Sequence, residues 1–367
     1  MYFILFTSIM LQACSDNDCN PDKLIPWPSE VEVCQVTEVG TLSFKETNRI
    51  MPSDFFGTCP SGAIADSTGI VFSAVSKPNL NRPFILSFSW DAKQQWCYSD
   101  SNFYHGMIPM LGGLEFDNEY LRISTGYQRI HTLNRFTGEY ISTNTLSGNL
   151  GGTYNPNYTT VFSAGALNKT ENAFVFTWGG LVLDHTGICC SVYEKNTLSE
   201  IVNFQRMKVE DKMDLWLTVC KTACTDSTIF MARTGDDGIF EYSQEGVLLR
   251  SLSCGKTAQR EMIVPSNMGG RIYVFYPVIA HLEFVPPDKL WVLYGMGAFP
   301  SDSSEIWHIN LSTLDSWRLP LSGNVTGFSV WENQMVICNR DTDVNPETGR
   351  YDSERNFVRI GEWQYVD

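Results

Sequence analysis

Basic residues are scarce in this chain. Its 367 residues include 26 Lys and Arg against 41 Asp and Glu, which gives a formal net charge of −15 at pH 7. Proteins that bind nucleic acid need a basic surface to neutralise phosphates, and anionic membranes attract the same kind of surface. The composition therefore argues against nucleic acid and an anionic membrane face as partners.

Long apolar runs are also missing. The longest one near the N-terminus, Tyr2 to Leu11, ends at Gln12-Ala13 and has the length of a secretory h-region. No later segment is long enough to span a bilayer, so we expect no transmembrane segment. We therefore predict that residues 1–13 are a signal peptide and that the protein is secreted and extracellular.

An alternative for the N-terminus comes from Leu11-Gln12-Ala13-Cys14. This run resembles the cleavage box of bacterial lipoproteins, in which the cysteine carries the lipid. In that case Cys14 would anchor the protein to a bacterial envelope.

Catalytic signature motifs are absent as well. The chain contains no Gly-x-Ser-x-Gly, Walker or zinc-hydrolase motif. It has only five histidines, and His185, beside Asp184, is the one candidate acid or base among them.

Cysteine, by contrast, is frequent, with eleven residues in the chain. This number is typical of proteins from oxidising compartments, so we expect disulfides. The preferred pair is Cys59 with Cys97, and Cys14 with Cys19 or Cys34 is a further option. Four N-glycosylation sequons, at Asn157, Asn168, Asn310 and Asn324, permit a glycoprotein but do not argue for one.

The segment Leu282 to Trp317 contains a unit of short strands separated by turns. Its runs are rich in aromatic and β-branched residues and are bounded by Pro, Asp and Ser, which is typical of strands. The region from Leu114 to Tyr140 repeats the same order. Looser copies keep the last hairpin, and the closing residues are Trp96, Tyr140, Ile201, Leu248, Trp317 and Trp363.

These closing residues lie 44 to 69 residues apart, a period that indicates an all-β β-propeller with four-stranded antiparallel blades. Six blades are the primary count. Seven are the alternative, with Arg271–Tyr276 in an additional blade.

We predict an extension over residues 14–61, with a strand pair at Val31–Val39 and Thr41–Lys45 that packs on the propeller or closes it. The propeller itself would occupy residues 62–367.

Several short runs resemble the plant and bacterial type of glutaminyl cyclase, a five-bladed propeller that cyclises N-terminal glutamine. The runs include Gly113-Leu114-Glu115-Phe116 before Ser124-Thr125-Gly126, and Leu282-Glu283-Phe284 before Leu290-Trp291. The resemblance covers residues 110 to 340 and implies a pocket lined by Trp178 and Trp216. However, the family's acidic positions are occupied here by Ile123, Ala164 and Ala280-His281. Cyclisation needs a group that shuttles a proton, so the comparison predicts binding without catalysis.

Turns such as Asn134 to Tyr140 also resemble the repeats of quinoprotein propellers. We expect no cofactor, because these turns have a structural explanation. Calcium is the one alternative, since Asp341, Asp343 and Asn345 alternate like the ligands of a calcium loop. Pro346 replaces the glycine that such loops use, which favours an ordinary loop.

The sequence thus predicts a secreted, disulfide-stabilised, non-catalytic propeller that binds an extracellular protein or glycan through its loop face. The alternative is a glutaminyl-peptide cyclotransferase-like or other propeller enzyme. The candidate ligand-binding residues are Trp178, Asp184, His185, Trp216, Asp236, His281 and Glu283.

Overall fold

The computed structural model describes residues 24–25, 33–51, 59–75, 83–99, 111–125, 129–146, 162–182, 185–204, 220–233, 238–256, 259–265, 271–276, 278–295, 303–339 and 356–366. All regular secondary structure in these residues is strand. Accordingly, this part of the chain has no helix with the length and hydropathy needed to cross a bilayer. The first strands are β1 (Leu24–Ile25), β2 (Val33–Gln35) and β3 (Thr37–Ile50).

Four sheets each contain four consecutive antiparallel strands. The first consists of β4 (Cys59–Asp66), β5 (Gly69–Val75), β6 (Pro83–Phe88) and β7 (Gln94–Tyr98). The second consists of β8 (Leu111–Asp117), β9 (Tyr120–Thr125), β10 (Arg129–Asn134) and β11 (Tyr140–Thr145). In the third, β12 (Phe162–Lys169), β13 (Ala173–Val182), β14 (His185–Glu194) and β15 (Glu200–Phe204) are joined by β1. In the fourth, β16 (Cys220–Cys224), β17 (Thr228–Arg233), β18 (Gly238–Ser243) and β19 (Leu248–Ser253) are joined by β2.

The remaining strands form a hairpin and one large sheet. β20 (Gln259–Pro265) and β21 (Arg271–Tyr276) form a two-stranded sheet. The next strands are β22 (Val278–Val285), β23 (Lys289–Gly295), β24 (Ser303–Asn310), β25 (Asp315–Ser322), β26 (Val325–Trp331), β27 (Gln334–Asn339) and β28 (Phe357–Val366). With β3 they form an eight-stranded sheet in the order β22-β23-β24-β25-β3-β28-β27-β26.

The sheets are arranged in a propeller-like ring. The inner strands, β4, β8, β12, β16, β22 and β26, contact one another in that order, and β26 contacts β4 again. Side chains from neighbouring sheets fill the spaces between them, as in the cluster that joins Phe72 with Val336 and Val358. The predicted all-β fold with four-stranded antiparallel units is thereby confirmed.

The predicted seventh blade has no four-stranded counterpart in the described residues. Arg271–Tyr276 forms β21, which pairs antiparallel with β20 in the two-stranded sheet.

The extension also pairs differently from the prediction. Val31–Val39 and Thr41–Lys45 were expected to pair with each other, but residues 37–50 form the single strand β3. This strand pairs antiparallel with β28 on one edge and parallel with β25 on the other. The expectation that the extension contributes a closing strand is confirmed. The predicted pairing within the extension is wrong. The reason is that the uncovered edges of two sheets offer the backbone more hydrogen bonds than a local hairpin does.

The predicted Cys59–Cys97 disulfide is also wrong. Cys59 begins β4 and Cys97 lies in β7, which are the inner and outer edge strands of one four-stranded sheet. Strands are spaced about 4.8 Å apart, so β4 and β7 are separated by roughly 14 Å, which is well beyond the Cα separation that a disulfide allows. Cys97 is an exposed free thiol, and Cys34 is also free.

A repeated turn explains why the third and fourth strands of several sheets form hairpins. Asn134 Oδ1 accepts hydrogen bonds from the backbone N–H groups of Phe136 and Thr137, at 3.0 and 3.1 Å. Gly138 then adopts a φ of 72°, which permits the hairpin to close. The turn that begins at Asn310 uses the same capping, with Leu314 at a φ of 63°.

Three of the sequons have structural roles in the fold. Asn310 caps its turn, Asn324 is buried, and Asn168 Oδ1 accepts a hydrogen bond from Thr222 Oγ1. Asn157 lies outside the described residues. Because N-glycans are attached to the amide nitrogen, the Oδ1 contacts of Asn310 and Asn168 do not exclude a glycan, whereas buried Asn324 would have to become exposed to carry one.

We expect Gly361→Ala to weaken ring closure. A Cβ at Gly361 would overlap the backbone oxygen of Lys45 in β3 and would lie 2.7 Å from the ring of Phe44. Overpacking of this kind costs about 1–3 kcal/mol, so the free energy of unfolding should fall by that amount. Chemical denaturation measures the change.

The matched control is Gly62→Ala in β4. Its Cβ would lie 3.7 Å from Ser73 Oγ, an ordinary van der Waals contact, so little loss is expected. Equal effects of the two substitutions would contradict the β3–β28 packing.

Candidate functional site

Most predicted ligand-binding side chains lie outside the described residues. This holds for Asp184, Trp216 and Asp236, and for the proposed calcium ligands Asp341, Asp343 and Asn345. Trp178 and His185 belong to β13 and β14, but their side chains are not described. Only His281 and Glu283, both on β22, can be placed completely. Within the described ranges, no group of three or more His, Cys, Asp or Glu side chains could hold a metal ion.

Glu283 occupies a repeated position on the inner strands. It lies two residues before Val285, which pairs with Lys289 and is the last paired residue before the turn between β22 and β23. The corresponding residues on β8 and β26 are Glu115 and Ser329. On β12 the corresponding residue is Asn168, which lies two residues before Thr170, where a backbone hydrogen bond to Ala173 closes the turn. Each of these polar side chains contacts the inner strand of the next sheet. We call these four residues, together with Lys169 and Thr222, the inner polar ring.

Glu283 is bound tightly by the neighbouring strand β26. Its carboxylate accepts a hydrogen bond from Ser329 Oγ at 2.7 Å and from the backbone N–H of Val330 at 3.2 Å. Ser329 Oγ in turn accepts a hydrogen bond from the backbone N–H of Ala65 in β4, at 3.0 Å. The contacts of Glu283 therefore connect three inner strands in sequence.

The opposite side of the inner polar ring uses a different set of side chains. Glu115 Oε1 lies 3.9 Å from Lys169 Nζ, which also donates a hydrogen bond to the backbone oxygen of Phe116. Asn168 Oδ1 accepts a hydrogen bond from Thr222 Oγ1 at 2.5 Å. The positions that lie two residues before the turn-closing residues Asp66 of β4 and Thr225 after β16 are Ile64 and Ala223, and both are apolar.

Burial shifts the pKa values of the two acids far from their ordinary range. Burial raises the pKa of Glu283 to about 8, although the hydrogen bonds from Ser329 and Val330 oppose the shift and the charge of Glu115 adds to it. Burial likewise raises the pKa of Glu115 to about 8, against the attraction of Lys169. Both carboxyl groups therefore bind a proton at a higher pH than an ordinary glutamate does.

Two further ionisable side chains of the inner strands are held neutral. Burial lowers the pKa of His281 to about 3, and the positive charge of Lys221 lowers it further. The His281 ring also packs edge-on against Phe328, with 5.0 Å between the ring centroids. Burial raises the pKa of the Cys224 thiol, and the charge of Glu115 acts in the same direction.

This arrangement can transfer a proton in principle, because carboxyl groups with pKa values near 8 are close to the range that suits general acid and base catalysis at neutral pH. Its geometry, however, is that of a structural network. Both oxygens of Glu283 already accept hydrogen bonds from the protein, and Glu115 is paired with Lys169. The arrangement therefore fixes the inner strands relative to one another.

The positions at which the sequence departs from the cyclase pattern have ordinary packing roles where they are described. Ile123 is fully buried beside Leu121 and Leu133. Ala280 packs partly buried against the cluster of Trp291 and Phe328. The side chain of Ala164 is outside the described residues.

Glu115, Lys169 and Ser329 belong to this network but were not among the predicted site residues. The signal for Glu115 was present, since Leu114-Glu115-Phe116 and Leu282-Glu283-Phe284 are copies of one motif. Lys169 and Ser329 could not be found in this way, because the repeat position carries different polar residues in different sheets.

No protein-family model matches the chain, and no curated protein matches it. Solved structures of propellers are similar to it. The structure of U3-55K matches with a TM-score of 0.48 and 10% identity over 89% of this chain and 99% of that chain. The Neurospora crassa Pan2 WD40 domain gives a TM-score of 0.47 and 8% identity over 89% of this chain and 97% of that chain.

A glutaminyl cyclase from Myxococcus xanthus, of the family that the sequence resembles, is also similar. It gives a TM-score of 0.40 and 10% identity over 92% of this chain and 100% of that chain. At these levels of identity a likeness does not extend to function, so function has to be argued from the side chains.

We expect Glu283→Gln to change how stability depends on pH. Because the pKa of Glu283 is about 8 in the fold and ordinarily 4.5, the folded state binds more protons than the unfolded state between these values. This contribution to stability is complete below the unfolded pKa and is lost as the pH rises through the folded pKa. Relative to the variant, the wild type should lose about 1 kcal/mol per pH unit within this window.

Denaturant unfolding at several pH values measures this difference. Glu362→Gln, at an exposed position of β28, is the control and should leave the pH dependence as it is in the wild type. If the free energy of unfolding has the same pH dependence in the wild type and in Glu283→Gln, Glu283 is not buried in this network.

Proposed function

We propose that the protein is a non-catalytic β-propeller that binds an extracellular protein or glycan through its loop face. The loop face is the end of the ring where the outermost strand of one sheet connects to the inner strand of the next. The observation that carries the proposal is that the hydrogen-bonding positions of Glu283 are filled by Ser329 and Val330. A general acid or base needs such positions for its substrate.

We infer that the ring has six blades. The cyclic contacts of the inner strands support this number, as does the eight-stranded sheet, in which β22–β25 and β26–β28 with β3 make two sets of four. The parallel pairing of β3 with β25 would then join two blades at their outer edges.

Most of the described tryptophans are not available as ligand contacts. Trp96, Trp291, Trp307 and Trp363 are buried, and the other described tryptophans, Trp90, Trp317 and Trp331, are partly buried against hydrophobic clusters. Contact residues for a ligand would therefore come from aromatic positions such as Trp178 and Trp216, as the resemblance to the cyclase pocket implies.

A second candidate function is that of a cyclotransferase-like enzyme. The supporting observation is the presence of two partly buried acids on inner strands, Glu115 and Glu283, whose pKa values lie near 8. The charge of Glu115 contributes to the shift at Glu283. Such a pair has the protonation behaviour that cyclisation requires.

The binding proposal can be tested with residues 14–367 as bait in extracellular material. We expect Trp216→Ala to reduce capture of the ligand at least tenfold. Phe136→Ala is the matched control, because Phe136 is an exposed aromatic residue in a turn at the opposite end of the sheets. Equal capture by both variants would contradict binding through the loop face.

Release of ammonia from a peptide with N-terminal glutamine tests the enzyme candidate. We expect no release above the blank from the wild type. Turnover that disappears in both Glu115→Gln and Glu283→Gln would overturn the non-catalytic proposal.

A further inference from the structure

The N-terminal strands cover the outer edges of successive sheets. β1 pairs parallel with β15, with Leu24 opposite Asn203, and β2 pairs parallel with β19, with Val33 opposite Ser251. The chain then continues to β25, where Thr37 lies opposite Asp315. From β3 towards the N-terminus, the segment therefore pairs first with β25, then with β19 of the fourth sheet, and then with β15 of the third sheet.

The two shorter pairings share one register. β15 and β19 each contain an extra residue at a bulge, namely Ile201 and Leu249. Asn203 and Ser251 each lie two residues after that bulge. Leu24 and Val33 therefore occupy equivalent positions on neighbouring sheets, nine residues apart.

The next edge in this direction is that of β11, which has the same local geometry. Its bulge residue is Ile141, because Thr132 pairs with Ser142 and Leu133 with Tyr140. Thr143 is thus equivalent to Asn203 and Ser251. Within the described part of the chain no strand pairs with the outer edge of β11, and Tyr140 and Ile141 are 41% and 47% exposed.

We propose that the outer edge of β11 accepts the chain's own N-terminal segment as a parallel strand, with Ser15 opposite Thr143. Residues 1–23 lie outside the described residues, and counting nine residues back from Leu24 leads to Ser15. The same length of chain already connects the edges of β15 and β19. Asp16 would then lie opposite Asn144.

The chemistry of the edge explains why an extended segment fits there. An outer strand presents a row of unpaired N–H and C=O groups, which another extended backbone can satisfy in series. A segment of the same chain has a further advantage, since its tether gives it a high effective concentration at the edge. The expected mature chain, which begins near Cys14, retains the residues concerned. This inference does not depend on the proposed function.

Amide hydrogen exchange on two truncated chains tests the proposal. Residues 14–367 keep Ser15 and Asp16, whereas residues 24–367 lack them and keep β1 and β2. We expect the outward-facing amides of residues 143–145 to exchange at least tenfold faster in the shorter chain. Exchange in β7 should be the same in both chains. With the same spacing of nine residues, the residue that would reach the edge of β7 is Phe6, which neither chain contains.

A double variant guards against a folding defect of the shorter chain. Ser15→Pro with Asp16→Pro in residues 14–367 removes the N–H groups of both residues and should produce the same faster exchange at residues 143–145. Equal exchange in all chains would overturn the proposal. Protection that increases with protein concentration would also overturn it, because the N-terminal segment of a second copy would then be the occupant.

Discussion

The ring depends on the pairing of β3 with both of its neighbours. β3 supplies the last strand beside β28 and also pairs with β25, so the two ends of the chain are held in one sheet. Its side chains reinforce this role, because Leu42 packs in the cluster around Trp291 and Ile50 packs in the cluster around Phe72. Thr47 and Ile360, which are 313 residues apart, are joined by a hydrogen bond. The entropy cost of closing so long a loop grows only slowly with length, but such pairing is expected to form late in folding.

The repeat made the general fold predictable, since it combines strand-forming residues with turn residues at regular intervals. The turn at Asn134 could be recognised because asparagine, threonine and glycine each have a local role there. The strands that pair with β3 could not be predicted from the sequence, because β3 pairs with sheet edges that exist only after the other sheets have formed. The Cys59–Cys97 prediction failed for a related reason. Their positions around one predicted blade contain no information on which strand of the sheet carries each residue.

The candidate site was predictable only in part. His281 and Glu283 were predicted as candidate ligand-binding residues, and the structure places both on the inner strand β22. Their partners are residues of the neighbouring strands, such as Ser329 and Phe328, and sequence spacing does not show which residues meet between sheets. Burial of Glu283 could not be anticipated from a sequence motif either, because its raised pKa arises from the neighbouring sheet and not from residues next to it in the chain.

Buried acids on inner strands can serve catalysis or structure, and the atoms around their oxygens distinguish the two roles. Ser329 illustrates the structural case, because its hydroxyl group donates to Glu283 and accepts from the backbone of Ala65. Replacing Glu283 with an apolar residue would leave the N–H of Val330 without its partner, and unsatisfied buried donors are costly. Such an acid would be retained even in a protein without catalytic activity. A pKa near neutrality is therefore weaker evidence for catalysis in this ring than it would be for an acid whose oxygens face an open pocket.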